Sequence, residues 1–168
     1  MRKKIYLVVG ASGSGKDYIV DKLCEKFDMK KVISRTTREP RYKDEATHIF
    51  VTNEQADKEF GYAIAKTIYN GNRYYTLIED LVKADFYIID PKGVYSINDD
   101  ILEQFSYEII YIKTSWWTRF KNMKKRGDKF SSILKRLIND HRAFKGFEGQ
   151  VNFKTSDEFY SYMIKNNL

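Results

Sequence analysis

The segment Gly10 to Asp17 reads GASGSGKD and follows directly on the apolar run Ile5 to Val9. A strand that runs into G-x-x-x-x-G-K has to turn tightly, open a helix and bring backbone N–H groups to one point, the arrangement that cradles phosphates. Gly10, Gly13 and Gly15 serve the turn, because a Cβ would clash with the phosphate or forbid the dihedrals. Ser12 and Ser14 add their loop backbone, and Lys16 reaches the terminal phosphates. Asp17 stands where a Ser or Thr hydroxyl usually meets Mg²⁺. It is either a candidate metal ligand, direct or through water, or an acid favoured by the dipole of the first helical turn. The required context is present: Ile5, Leu7, Val8 and Val9 form a buried-type strand, and Tyr18, Ile19, Leu23 and Phe27 approach a helical stripe. A bland Gly-rich turn lacks that context.

Downstream, short apolar strands alternate with helical patterns. His48-Ile-Phe-Val51 reads as a strand, and Asn53 to Phe60 as a helix capped by Thr52. Tyr62 to Tyr75 reads as a hairpin turning at Asn70-Gly71-Asn72. Thr76 to Ala84 is helical with Thr76 near its cap, Phe86 to Asp90 a buried strand, Val94 to Phe105 a helix, and Tyr107 to Lys113 a strand. Helices follow over Trp116 to Lys125 and Ser131 to Phe144, the second with Leu134, Leu137, Ile138 and His141 on one face. Val151 to Phe153 is a last strand, and Thr155 to Glu158 a capping box opening the last helix. This order predicts an α/β fold of three layers: a central parallel sheet, a small inserted antiparallel lobe and a helical lid. One domain is expected, with a core of residues 1–33, 77–118 and 146–168, a lobe of 34–76 and a lid of 119–145. In such a sheet ligands gather at the carboxyl ends of the strands, where the glycine loop and Asp90 both fall.

The net charge of +7 raises the question of nucleic acid, and its distribution decides how to read it. Residues 119 to 145 hold ten basic residues against Asp128 and Asp140, a net of +8 that exceeds the total for the chain. A lid gripping polyphosphate and a nucleic-acid patch both predict such a cluster. The second lacks an aromatic-studded strand surface or a recognised motif, so nucleic acid is not the expected partner. The only cysteine, Cys24, provides neither disulfide nor Cys-based metal site and reads as a small core residue. The apolar run after Met1-Arg-Lys-Lys is too short for a signal peptide, and no stretch approaches a membrane span. A reducing cytoplasm fits, with monomer and homodimer both open.

Beyond the loop, a second concentrated signal is Ser34-Arg-Thr-Thr-Arg-Glu-Pro-Arg41, followed by Phe50-Val51, Gly71-Asn-Arg-Tyr-Tyr-Thr76, Asp90-Pro-Lys-Gly-Val94, Arg126-Gly127, Arg136-Leu137 and Val151-Asn152. With the loop, and in this order over nearly the whole chain, these resemble the guanylate kinase family. The resemblance implies phosphoryl transfer from ATP, with Mg²⁺, to a nucleoside monophosphate, GMP or dGMP first. It implies that Arg38 and Arg41 grip the acceptor's phosphate as bidentate forks, aided by Ser34 and Tyr74. Thr76, where a serine is usual, and Asp90 would contact the base; Asn152 would touch the adenine of ATP. Arg126 and Arg136 would close over the polyphosphate with Lys16. Each basic residue has a plainer reading as turn or surface, and Tyr74 as packing.

Three positions depart from that pattern. The acid that reads the guanine edge is replaced by Ala65, with Glu59 and Glu79 as possible substitutes. His48 stands where a phosphate-binding tyrosine is usual, in a segment shortened by two residues. One lid arginine is Asn122, with Lys121 and Lys125 as deputies. A kinase for another nucleotide such as dTMP, and a non-catalytic guanylate-kinase-like binding module, are the alternatives; the intact Gly10, Gly13, Gly15 and Lys16 oppose the second.

Overall fold

Strand β1 (Lys4–Gly10) runs through the middle of the molecule with every residue after Lys4 buried, as its unbroken apolar run requires. The computed structural model describes residues 2–40, 43–69 and 71–166. After β1 come α1 (Lys16–Phe27), the two-residue strands β2 (Arg35–Thr36) and β3 (Ile49–Phe50), and α2 (Asn53–Glu59). The hairpin β4 (Ala65–Tyr69) and β5 (Asn72–Thr76) leads to α3 (Ile78–Val82), β6 (Phe86–Ile88), α4 (Pro91–Ser96) and α5 (Asp99–Leu102). Then follow β7 (Ser106–Ile112), α6 (Trp116–Lys125), α7 (Phe130–Ala143), β8 (Val151–Phe153) and α8 (Ser156–Asn166).

The strands form two sheets. The central one is parallel throughout, in the order β6-β1-β7-β8, with Val8 opposite Ile88 and Ile110. Period-two alternation along β1 sends Ile5, Leu7 and Val9 to one face and Tyr6 and Val8 to the other. The first face packs on Leu81, Val94 and Phe147, and the second on Ile19 and Leu23 of α1 with Phe159 and Met163 of α8. This is the expected three-layer α/β arrangement. The second sheet has the order β3-β2-β5-β4, antiparallel at β2–β5 and β4–β5 and parallel at β2–β3. Among the described residues no helix is long and apolar enough to cross a membrane.

Several local expectations are corrected. Tyr18 is 69% exposed, and the stripe of α1 that meets the sheet is Ile19, Val20 and Leu23. The face that α7 buries is Ile133 and Leu137, packed on Met123 of α6, while Leu134, Ile138 and His141 lie toward solvent. The contact is narrow, so one helical row suffices, and the apolar residues beside it stay uncovered. The stretch Val94 to Phe105 is two short helices, because Ile97 turns extended after α4. Thr76 finishes β5 rather than capping α3; the cap is made by Asp80, whose carboxylate accepts the Leu77 N–H at 3.0 Å. Asn70 of the hairpin turn lies outside the described residues.

Candidate active site

The loop after β1 turns through Gly13 and Gly15, at φ +76° and +87°, and α1 starts immediately at Lys16. Both dihedrals lie where an L side chain is strained. A Cβ on Gly13 would also come within 2.7 Å of the Arg119 carbonyl, so this glycine lets α6 rest on the loop. Two clefts meet at the loop. A larger one, roughly 870 Å³, takes Gly13, Ser14, Gly15 and Asp17 as one wall and Asn122, Lys125 and Arg126 of the lid as another. A smaller one, roughly 320 Å³, takes Gly10, Ser12 and Lys16 and extends under the second sheet. Lys16 and Asp17 thus belong to different clefts while their side chains pair at 3.0 Å.

Of the residues expected around the acceptor, Ser34, Tyr74, Thr76 and Asp90 line the smaller cleft. Arg38 stands beside it, held in a bidentate pair by Glu45 at 2.8 and 3.3 Å and stacked over Phe50. His48 sets its ring edge-on to Tyr74 at 5.5 Å and its Nδ1 against the Thr47 carbonyl. Arg41 lies outside the described residues. Glu45, a buried acid seven residues after Arg38, was not singled out from sequence; a carboxylate close behind an arginine in an otherwise polar loop was the available signal. Asp90 spends one oxygen on the Gly93 N–H at 2.6 Å as the cap of α4. Burial pushes the Tyr87 hydroxyl up to about 12, so it stays protonated and donates to Thr76 Oγ1 at 2.9 Å.

Ala65 also lines this cleft, opposite Thr76 in the hairpin. Neither proposed substitute for the missing acid is at hand. Glu59 and Glu79 both bind Arg35, at 3.4 and 2.6 Å, and Glu59 accepts the Tyr75 hydroxyl as well. Arg35, the second residue of the SRTTR stretch, therefore ties the lobe to α3 through Glu79 and Asp80.

The lid brings its two predicted arginines together on one acid. Arg126 pairs with Asp128 through Nε at 3.0 Å, and Arg136 Nη1 stands 3.6 Å from the same carboxylate. The Arg126 hydrogen bond, assisted by both guanidinium charges, holds the Asp128 carboxyl below the ordinary range. Asn122 donates to the Gly13 carbonyl at 2.8 Å, and Lys125 lines the larger cleft, whereas Lys121 is exposed and does not line it. Asn152 is turned from the larger cleft: its amide accepts from the Gly149 N–H at 3.0 Å and donates to the Gly149 carbonyl at 3.2 Å. Among the described residues no group of three or more His, Cys, Asp or Glu side chains can hold a metal alone. The donor set suits Mg²⁺ that takes most of its ligands from phosphates and water. Asp17 and Asp157 are the carboxylates on the wall of the larger cleft.

Comparison with known proteins identifies the family and the fold. A sequence model of the family described as guanylate kinase matches residues 2–167. Among solved structures, guanylate kinase from Anaplasma phagocytophilum is similar with a TM-score of 0.61 and 18% identity, over 99% of this chain and 85% of that one. An uncharacterized protein from Eubacterium ventriosum ATCC 27560 is similar with a TM-score of 0.50 and 14% identity, over 98% of each chain. At such identities the likeness is one of fold. No curated protein sequence matches the chain.

Proposed function

Since this chain belongs to the guanylate kinase family, we propose that it transfers the terminal phosphoryl group of ATP to a nucleoside monophosphate, giving ADP and a nucleoside diphosphate. The observation that supports this most directly is the partition: the loop Gly10 to Asp17 is a wall of both clefts, so a donor in the larger and an acceptor in the smaller would meet across it. Phosphoryl transfer asks a protein mainly to position two anions and neutralise charge on the group between them. The loop N–H groups and the start of α1 would hold the donor phosphates. Lys16 would exchange Asp17 for phosphate. Ser34 and Tyr74 would orient the acceptor's phosphate, with Arg38 and Arg41 as the cations beside them, and Thr76 and Asp90 would meet its base. Arg126 and Arg136 would leave Asp128 to cover the transferred group. Asp17 would hold Mg²⁺, directly or through water, and the ion would supply positive charge to offset that of the phosphates.

GMP or dGMP is the first acceptor by family. A second reading, a nucleotide with another base such as dTMP, is favoured by Ala65 and by the engagement of Glu59 and Glu79 with Arg35. A site without the carboxylate loses a discrimination worth several powers of ten. The intact loop opposes a purely binding role. A coupled ADP-release assay with ATP, Mg²⁺ and a panel of ribo- and deoxyribonucleoside monophosphates tests the reading. Turnover with at least one acceptor is expected, and its absence with all of them rejects the kinase assignment. On GMP and dGMP, Ala65→Glu is expected to raise kcat/KM relative to the other bases.

A further inference from the structure

Three successive carbonyls of the glycine loop are held from behind by side chains of one short stretch. Arg119 Nε donates to Ser12 O at 2.9 Å, Asn122 Nδ2 to Gly13 O at 2.8 Å and Thr114 Oγ1 to Ser14 O at 3.2 Å. Asp140, from α7, accepts the Ser12 N–H at 2.8 Å and pairs with the Arg119 guanidinium. The pair is almost dry: the side chains of Arg119 and Asp140 are 10% and 16% exposed. Both belong to the segment whose charge pointed to a polyphosphate lid, yet Arg119 lines neither of the two clefts assigned to substrates, and Asp140 lines only the smaller. It lies behind the loop, where the Gly13 backbone meets α6.

We propose that Arg119 and Asp140 are positioning residues that fix the glycine loop in its nucleotide-binding shape before the nucleotide arrives. This rests on the kinase reading only for the identity of the ligand. In a trans peptide the C=O and the following N–H point oppositely. Holding the carbonyls of Ser12 and Ser14 toward Arg119 of α6 and toward Thr114 just before it turns the N–H groups of Gly13 and Gly15 to the other side of the loop. The intermediate N–H, of Ser14, closes the turn on Ala11 O at 3.0 Å. A glycine-rich loop has the most backbone freedom to lose on binding, so a frame that removes it beforehand appears as affinity. The ion pair suits this role, since the guanidinium fork satisfies a carbonyl and a carboxylate at once and the carboxylate returns a bond to the same residue, Ser12. Burial lowers the Arg119 pKa and Asp140 opposes that shift, keeping the group a cation.

The test uses Arg119→Lys, which keeps a cation for Asp140 but loses the fork to Ser12. ADP binding is followed by calorimetry, and hydrogen exchange of the loop amides by NMR in the nucleotide-free protein. Faster exchange at Ser12 and Ser14 and about a tenfold rise in the Kd for ADP are expected, the scale of one charge-assisted hydrogen bond. The KM for ATP rises with it. A folded variant with wild-type exchange and wild-type Kd overturns the proposal. Should Arg119→Lys not fold, Asp140→Asn is read by exchange at Ser12, whose N–H the carboxylate accepts; a wild-type rate there overturns it too. If the wild-type protein binds no ADP, the kinase reading fails, and the frame is still judged by exchange alone.

Discussion

Two arginine–aspartate pairs sit in the same basic segment and do opposite things. Arg119, its side chain 10% exposed, and Asp140 lock α6 and α7 to the glycine loop; Arg126, on the wall of the larger cleft, is 55% exposed, while the two aspartates are shielded alike at 16% and 17%. Chemistry alone does not separate them. A pair out of water loses most by being broken, because each partner leaves the other as an uncompensated charge. An exposed pair is exchanged for another anion at little cost, because water screens both states. The burial of the arginine therefore separates the two pairs, and it is the reason we propose a frame for one and, for the other, a grip whose anion phosphate would replace.

The comparison is broken most severely by Asp140→Ala. It strands the Arg119 charge and is expected to cost about 3 kcal/mol, read as a fall in Tm of about 6–12 °C for a chain of this size. An unchanged Tm would place both pairs in the same class. Next in effect is Arg126→Ala, expected to lower kcat by about a hundredfold, the scale of one charge contact in the transition state, while Tm moves little. A kcat near wild type would mean that Arg126 does not leave Asp128 during turnover. Smallest is Asp128→Asn. Folding depresses the Asp128 pKa below its ordinary 3.8, so its contribution is complete above that value and disappears as pH falls through the folded pKa. Denaturant unfolding at neutral pH is expected to show the variant less stable by under about 1 kcal/mol, a gap that closes toward pH 2 and shrinks with added salt. A gap independent of pH would remove the charge from the explanation.

How much of this was legible follows from the range of the interactions involved. The loop, its strand and its helix were readable because glycine, lysine and apolar spacing act within a few residues. Thr52 was readable as a cap for the same reason, its Oγ1 accepting the Gln55 N–H at 3.2 Å. The face of α7 was misjudged: Ile133 and Leu134 are adjacent and equally apolar, and only the placement of Met123 selects between them. Glu45, Asp128 and Asp140 escaped for a related reason. An acid beside arginines in sequence reads as a charge to subtract, and its partner is known only when the chain has folded.

By itself the sequence determined that a phosphate-binding loop lies at the end of a buried parallel strand and that an arginine-rich lobe and lid accompany it. These properties reside in local backbone freedom and side-chain type. The tertiary structure decided which arginines are spent on carboxylates, that Glu59 and Glu79 serve Arg35 rather than the cleft at Ala65, and that the loop divides two clefts. Those outcomes depend on which charges are brought together and how far water is kept from them, and segments distant in sequence set both.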